Sequence, residues 1–513
     1  MRVGIILGRY RAISFLLVCT ILLLARTCVV AQETAQQHFE RVMKNPHIQV
    51  EGQVTGEGFC WHAASAANNF VTGYLAYEDT AWLDYGVQYF DWLVGLMAEA
   101  PDGYKGWIGP FIYDKSVWCD VHVGDAILVN PMLRFAEVVL SDELLTEKYG
   151  VAANGYVALA QKHLIEKWAT RGTWHEDGPY GVYASWDRYF KPGDLSEWRD
   201  IEIAKSNLSL PFNKQFDMAI AALRLWRITG DEQYRDKAER TFRLMKSRIR
   251  LVDDHYVWNY WEPLGSWDAG QEDLRHWVNV HPYRNYQSGE VSDIVEAYHS
   301  GIVFDKQDIE RIIRTNLGVM WNGDKDNPKW RNSNDTGPWE PPPPPPKGWK
   351  GRAGTLWSAL KDFDETVRML YERSLEPGTL SHAHYHNVTA AEPVGFERKY
   401  AGEGLVDDVA FTDCDNLIMV GVLPSTFMQS KTTLLVNKAD EGGTLVIAVY
   451  RENGERIAVL YDNTMMGGSD RVKGIFMMPW DGTNALGKPV GKGRYLIRWT
   501  LNDVYRELPV WVE

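Results

Sequence analysis

The sequence predicts a mainly α protein, an (α/α)6-type toroid of helical hairpins followed by a small C-terminal β-sandwich. Three observations carry that expectation. Helical periodicity recurs in pairs of segments separated by short breaks, one junction pattern occurs twice, and past about residue 431 the apolar period changes to two. Antiparallel helix pairs in tandem either stack into an open solenoid or close into a ring. Units of roughly 50–90 residues with long loops are too irregular for a consensus solenoid, so a closed ring is expected.

Taken in order, residues 1–31 read as a secretory signal peptide. Arg2, Arg9 and Arg11 precede an apolar run at 13–25 that is short for a membrane span, and Val29, Val30 and Ala31 precede a cut at Gln32. Residues 32–430 are then the toroid that carries the chemistry, and 431–513 the β-sandwich. Hairpins are expected over about 62–99, 122–168 and 213–250. At the junctions, Asp79, Trp82 and Asp84 match Asp231, Tyr234 and Asp236, which argues for an internal repeat.

The fourth hairpin opens with a polar, aromatic loop feeding a helix near Ser288. That helix breaks at Gly301 and its return starts at Asp305. Ile294, Ala297 and Tyr298 share one helical face, as do Ile309, Ile312, Ile313 and Leu317. Ser288 and Asp305 are the N-cap candidates, because a short side-chain oxygen accepts from an orphan first-turn amide. A fifth unit begins near Thr355 and a sixth is expected around 406–423. The proline run 341–346 reads as an extended polyproline segment. In the C-terminal region, period-two runs alternate with Gly-rich turns; one run is expected to stop at Pro479 and Trp480, where the missing proline amide ends ladder pairing, with Asp481 and Gly482 turning the chain.

Composition narrows the function. The formal charge is -14, and losing residues 1–31 removes four Arg and no acid, giving -18. A nucleic-acid binder shows a basic surplus, so that class is excluded. No cofactor is expected, and no membrane insertion once the signal is removed, which points to a secreted, periplasmic or extracellular protein. Cys60, Cys119 and Cys414 remain; Cys60 with Cys119 is the expected disulfide, and no Cys-x-x-Cys spacing occurs. Many of the 22 Trp, Trp258 and Trp261 among them, lie in Gly- and Pro-interrupted segments. Flat aromatic faces in clefts suit the apolar faces of sugar rings.

The segments just before each hairpin's first helix hold the candidate site. They contain Trp61 and His62; Trp118, Asp120 and His122; Asn213, Lys214 and Gln215; His281, Tyr283, Arg284 and Tyr286; and Trp349, Lys350 and Arg352. If the first helices form an inner ring, their N-termini share one rim, where free amides and partial positive charge favour an anion. A carboxylated sugar is the natural guest, so the expected partner is an acidic polysaccharide. Abstraction of a uronate C5 proton requires a base and groups that neutralise the carboxylate. His281, Tyr283, Tyr286 and His122 are the catalytic candidates. Asn213 and Arg284 grip the carboxylate, with Trp61, His62, Gln215, Trp258, Trp261, Arg352 and His384 as further substrate contacts. Hydrolysis instead needs two flanking carboxyls, for which Glu57, Asp120, Asp125, Glu262, Asp268 and Glu290 are available. A passive glycan receptor is the non-enzymatic alternative. Alternate His382, His384 and His386 on a strand invite a metal reading, but no acidic or Cys partner sits beside them, so no metal is assigned.

The segments 61–84, 121–135, 210–238 and 256–261, with the stretch around 279–324, resemble the (α/α) toroid superfamily of six-hairpin carbohydrate enzymes. They look closest to alginate-lyase-type polysaccharide lyases and glucuronyl C5-epimerase-like domains, over about residues 55–425. That resemblance implies β-elimination or epimerisation at a uronic acid. Where the alginate lyases carry Asn-Asn-His, this chain has Asn68, Asn69 and Phe70. Residues 480–495 are similar to the Ig-like domain of flagellar hook-assembly proteins, which implies an accessory or sorting module.

Overall fold

The structure is a computed structural model that describes residues 33–45, 55–112, 114–186, 188–200, 209–252, 254–258, 260, 286–331, 354–400, 417–423, 426–427, 432–438, 445–462, 474–501 and 504–512. Its helices are α1 (Ala35–Met43), α2 (Gly56–Tyr77), α3 (Ala81–Gly95), α4 (His122–Leu140), α5 (Glu143–Ala160), α6 (Lys167–Thr170), α7 (Phe212–Thr229), α8 (Glu232–Arg248), α9 (Gln287–His299), α10 (Lys306–Ile313), α11 (Glu365–Ser374) and α12 (Leu380–Asn387). The first helices of successive hairpins, α2, α4, α7 and α9, pack side by side in that order. A 3-10 turn, Ser358–Asp362, bridges α9 and α11, and α12 packs back onto α2, which closes the ring. α3, α5 and α8 stand outside their partners.

The inner helices run parallel. Cys60 Sγ lies 3.3 Å from where a Cβ on Gly124 would stand, and three turns later Arg134 donates to Thr72 Oγ1 at 3.0 Å. Between inner and outer rings the aromatic side chains interlock. Phe90 meets Phe70, Phe135 and Tyr156, and Phe242 meets Phe216 and Phe304. Each such ring contributes about 2 kcal/mol by leaving water.

The matched junctions use one device. Glu78 and Gly230 both take the left-handed conformation after α2 and α7, and their amides close on Tyr74 O and Trp226 O. Asp79 and Asp231 then accept from Ala81 N and Gln233 N at the start of the outer helix. Asp305 caps α10 through a full capping box with Asp308, as its position suggests. Ser288 does not cap α9: the helix begins at Gln287 and Ser288 lies inside it.

Other expectations are corrected. The fifth unit supplies only the 3-10 turn where a first helix was expected. Of the sixth unit expected around 406–423, residues 401–416 lie outside the described residues and Leu417–Leu423 is a strand where a helix was expected; among the described residues α12 takes the closing position. The three His near 384 stand on α12 rather than a strand, so His382 and His386 pair across one turn with ring centroids 4.3 Å apart. Cys60 and Cys119 are free thiols, both buried; Cys414 lies outside the described residues, as does the signal segment 1–31. No helix among the described residues is long and apolar enough to cross a membrane.

A four-stranded sheet at the rim was not foreseen. Gly109–Pro110, Trp118–Cys119, Arg188–Lys191 and Asp194–Asp200 pair antiparallel in that order. Gly109 lies so close to the start of α2 that a Cβ there would stand 2.6 Å from Gly56 N, while Gly56 N donates to Trp107 O at 3.0 Å. The C-terminal strands form two sheets. Leu417–Leu423, Thr432–Lys438 and Gly474–Trp480 make one; Thr426–Phe427, Val504–Val512, Gly493–Leu501, Leu445–Arg451 and Arg456–Asp462 make the other. The strand ends at Trp480 as expected, though Pro479 keeps its pairing with Thr433, because it stands on an edge strand whose outer side needs no amide.

Candidate active site along the ring axis

Each inner helix turns a polar stripe away from its neighbours. On α2 the stripe is Trp61, Ser65, Asn68 and Thr72, all partly or fully exposed while Phe59, Ala67, Phe70 and Val71 behind them are buried. The spacing of 4, 3 and 4 is one helical face. α4 contributes Asn130 and Arg134, α7 Lys214, Asp217 and Arg224, and α9 Asp293 and Glu296. These stripes meet. Asn130 Nδ2 donates to Asp217 O at 2.8 Å, Arg224 Nη2 to Glu296 Oε2 at 2.8 Å, and Arg224 Nη1 to Asn130 O at 2.9 Å. The axis of the ring is therefore polar, against the usual apolar interior of a helical bundle.

At the rim, Lys214 Nζ reaches Glu57 Oε1 at 2.9 Å across 157 residues of sequence, and Trp61 Nε1 donates to the same oxygen at 3.4 Å. Tyr260 O accepts from Phe212 N at 3.0 Å, and the Tyr260 ring stacks on Tyr286 with centroids 4.8 Å apart. So Trp61, Asn213 and Tyr286 share one mouth, brought there by parallel helices. Among the described residues, Asn213 Oδ1, both amide atoms of Gln287, and Glu290 Oε1 are buried there without a hydrogen-bond partner. Such groups are rare in a folded interior and call for a ligand or water.

Other expected contacts have structural duties. Gln215 spends its amide inside the fold: Oε1 accepts from Tyr183 N at 2.8 Å, and Nε2 donates to Tyr183 O and Leu210 O at 2.8 and 3.0 Å. Trp258 is buried and donates to Glu290 Oε2 at 2.8 Å. His122 is sealed beneath the rim, stacked on Trp168 at 4.0 Å. Its Nε2 lies 3.2 Å from Thr173 Oγ1, whose own proton goes to Trp168 O, so Nε2 carries the proton. Burial, with Lys167 nearby, pushes His122 down to about 3. A base that weak does not hold a proton taken from a sugar, which corrects the catalytic role expected of it. The cavity it borders, about 40 Å³ among Glu57, Asp120, Trp186 and Lys214, has room for water and not for a sugar ring. His62 is exposed at the rim. His384 stands on α12 beside Arg134; burial and that guanidinium hold it neutral, down to about 4. His281, Tyr283, Arg284, Trp261 and Arg352 lie outside the described residues.

Below His122 a charge cluster anchors the start of α4. Lys167 Nζ meets Asp125 Oδ2 at 2.6 Å and Asp120 Oδ2 at 3.0 Å, and Arg171 Nη1 meets Asp120 Oδ2 at 2.8 Å. A π-helical segment, Gln161–Glu166, precedes Lys167 at the turn that presents it. With two cations, Asp120 stays ionised despite burial, while Asp125 is pushed up to about 7 by burial.

The carboxyls that sequence reasoning missed are Asp217 and Asp293. Both are partly exposed on the axial stripes. Burial pushes Asp217 up to about 8, and raises Asp293 well above the carboxylate range with the Asp217 charge as the second cause. Glu290, one turn above Asp293, is pushed up to about 8 by burial. From helix rise, the pair lies about 8 Å below the rim. Their mid-helix positions gave no signal in the sequence beyond the polar stripe itself.

No family model matches the chain, and no curated protein does. Among solved structures it is similar to a GH76 α-mannanase from Bacteroides thetaiotaomicron, at 11% identity over 65% of this chain and 69% of that one, with TM-score 0.31. An inactive variant of the GH76 α-1,6-mannanase of a Salegentibacter species, in complex with α-1,6-mannotriose, aligns at 12% identity over 72% and 93%, with TM-score 0.33. The cellobiose 2-epimerase of Bacillus thermoamylovorans aligns at 12% identity over 64% and 75%, with TM-score 0.28.

Proposed function

We propose that this protein is an exported carbohydrate-active enzyme that cleaves a glycosidic bond on the ring axis, with Asp217 and Asp293 as its acid and base. The observation that carries this is a pair of carboxyls on adjacent inner helices, Asp217 and Asp293, both raised by burial and the second also by the charge of the first, beneath a mouth with unsatisfied buried amides and an exposed Trp. Two carboxyls that repel each other share a proton. One then protonates the departing glycosidic oxygen while the other receives a proton from attacking water. Asn213, Gln287 and Glu290 are suited to sugar hydroxyls, and Trp61 to an apolar ring face. Residues 1–31 supply the export signal in this reading, and the C-terminal sheets an accessory module.

The test is a polysaccharide panel with reducing-end detection. Asp217→Asn and Asp293→Asn each lower turnover by about 10²–10⁴-fold, the range of acid–base catalysis, with the melting temperature held or raised. Activity rises as pH passes through about 8, where Asp217 gives up its proton to become the base while Asp293, raised further by that charge, keeps the proton it donates. Turnover that survives both substitutions overturns the assignment. A second reading, β-elimination at a uronate, is favoured by Tyr286 stacked on Tyr260 at the mouth. It yields the ultraviolet band of an unsaturated uronate, which hydrolysis does not.

A further inference from the structure

The closing helix α12 separates three histidines that a strand would have placed on one face. On a helix, residues i and i+4 stand together while i+2 points the opposite way, so His382 and His386 pair and His384 is turned from them. The surroundings follow that division. His384 lies beside Arg134, where burial and that guanidinium hold it neutral. Tyr385 is buried and donates to Glu372 Oε2 on α11 at 3.1 Å, and Asn387 Nδ2 donates to Ala76 O at the end of α2 at 2.7 Å. His382 and His386 are left on the outer edge, the first half-buried and the second exposed. Their ring centroids lie 4.3 Å apart with the planes inclined by 59°. Among the described residues neither imidazole has a hydrogen-bond or ion-pair partner.

Two imidazoles one turn apart make a chelate. Metal–nitrogen bonds of about 2.0–2.1 Å set the two ligating nitrogens about 3 Å apart, and rings already in contact reach that by turning about χ2. The helix holds both rings before the ion arrives, so the second bond forms at high effective concentration. We propose that His382 and His386 form a divalent transition-metal site, one ring nitrogen from each, on the helix that closes the ring. Among the described residues no set of three ligating side chains occurs, so the ion keeps open positions for water. With two imidazoles and no further ligand to impose a geometry, affinity follows the intrinsic order, Cu²⁺ before Ni²⁺ and Zn²⁺. The site also bears on the fold. α12 has eight residues, too few to be helical alone, and relies on its packing against α2. An ion held by both imidazoles binds only the helical form and so stabilises closure of the ring. Neither Asp217 nor Asp293 takes part, and the cleavage proposed above does not require the ion.

Calorimetry on the untagged mature chain with CuCl₂, NiCl₂ and ZnCl₂ tests the site. Cu²⁺ is expected to bind tightest, and His382→Ala or His386→Ala each weakens it by about 10²-fold, the effect of losing the second arm of a chelate. His384→Ala leaves it unchanged. Electron paramagnetic resonance of the Cu²⁺ complex shows coupling to two imidazole nitrogens, reduced to one in either weakened variant. Zn²⁺ slows amide hydrogen exchange over 380–388 in the parent and not in His382→Ala. An affinity that survives loss of both imidazoles, or that requires His384, overturns the site. Zn²⁺ binding tighter than Cu²⁺ overturns the two-ligand assignment, and exchange in α12 that ignores bound Zn²⁺ overturns its role in closure.

Discussion

Glu296 shows how a single side chain can hold this ring together. It sits between Arg224 and Arg227, which pull its carboxyl down to about 2 despite burial. Its contribution is present above the unfolded carboxyl range near 4 and is lost as pH falls towards 2. Asp217 and Glu290 have the opposite sign: raised to about 8, they favour the folded state fully below about 4 and lose that contribution as pH rises through 8. Glu296→Gln leaves two guanidiniums without their shared counter-charge and is expected to cost about 3 kcal/mol. Urea unfolding at pH 7 measures it; a loss below that of an ordinary surface substitution contradicts the shared-pair account. Gln215 makes the complementary point. Its place near a helix start reads as a ligand contact in sequence, yet which atoms its amide meets depends chiefly on Tyr183, 32 residues away along the chain.

Helices in the outer ring begin on aspartate in almost every unit. Asp142, Asp231, Asp305 and Asp364 each accept from an amide of the first turn, and Asp79 does the same one residue earlier. The negative side chain also meets the positive end of the helix dipole. Such caps are local, so the sequence displays them directly: the Asp79 and Asp231 junctions were legible as a repeat. Asp364→Ala is expected to cost about 1 kcal/mol by removing the bonds to Thr366 and Val367. A thermal melt with no shift contradicts it. The α9 start is the counterexample. Ser288 has the right chemistry for a cap, but the helix extends back to Gln287 beneath the Tyr260–Tyr286 stack, and packing overrides the local preference.

Across the whole molecule, two cores divide the chain. The toroid core links all the inner and outer helices, while Leu445, Ile447, Val449, Ile497, Trp499 and Val510 form a separate core between C-terminal strands. The boundary expected at 430 cuts the C-terminal sheets, since Leu417–Leu423 and Thr426–Phe427 pair with strands beyond it; we propose instead that the helical unit ends before Leu417. A fragment ending at 416 is expected to keep its helical circular dichroism, its melting transition and its turnover. Aggregation or loss of the transition contradicts that division.

The sequence by itself determined the first four hairpins, the Asp305 cap and the matched junctions at Asp79 and Asp231. Those follow from periodicities and local hydrogen bonds that act within a few residues. Only the tertiary structure decided that His122 and Gln215 are tied into the scaffold, that Cys60 and Cys119 stay apart, and that Asp217, Asp293 and Arg134 face the axis. Their states are set by burial and by charges from other helices, which no spacing along one strand of sequence encodes.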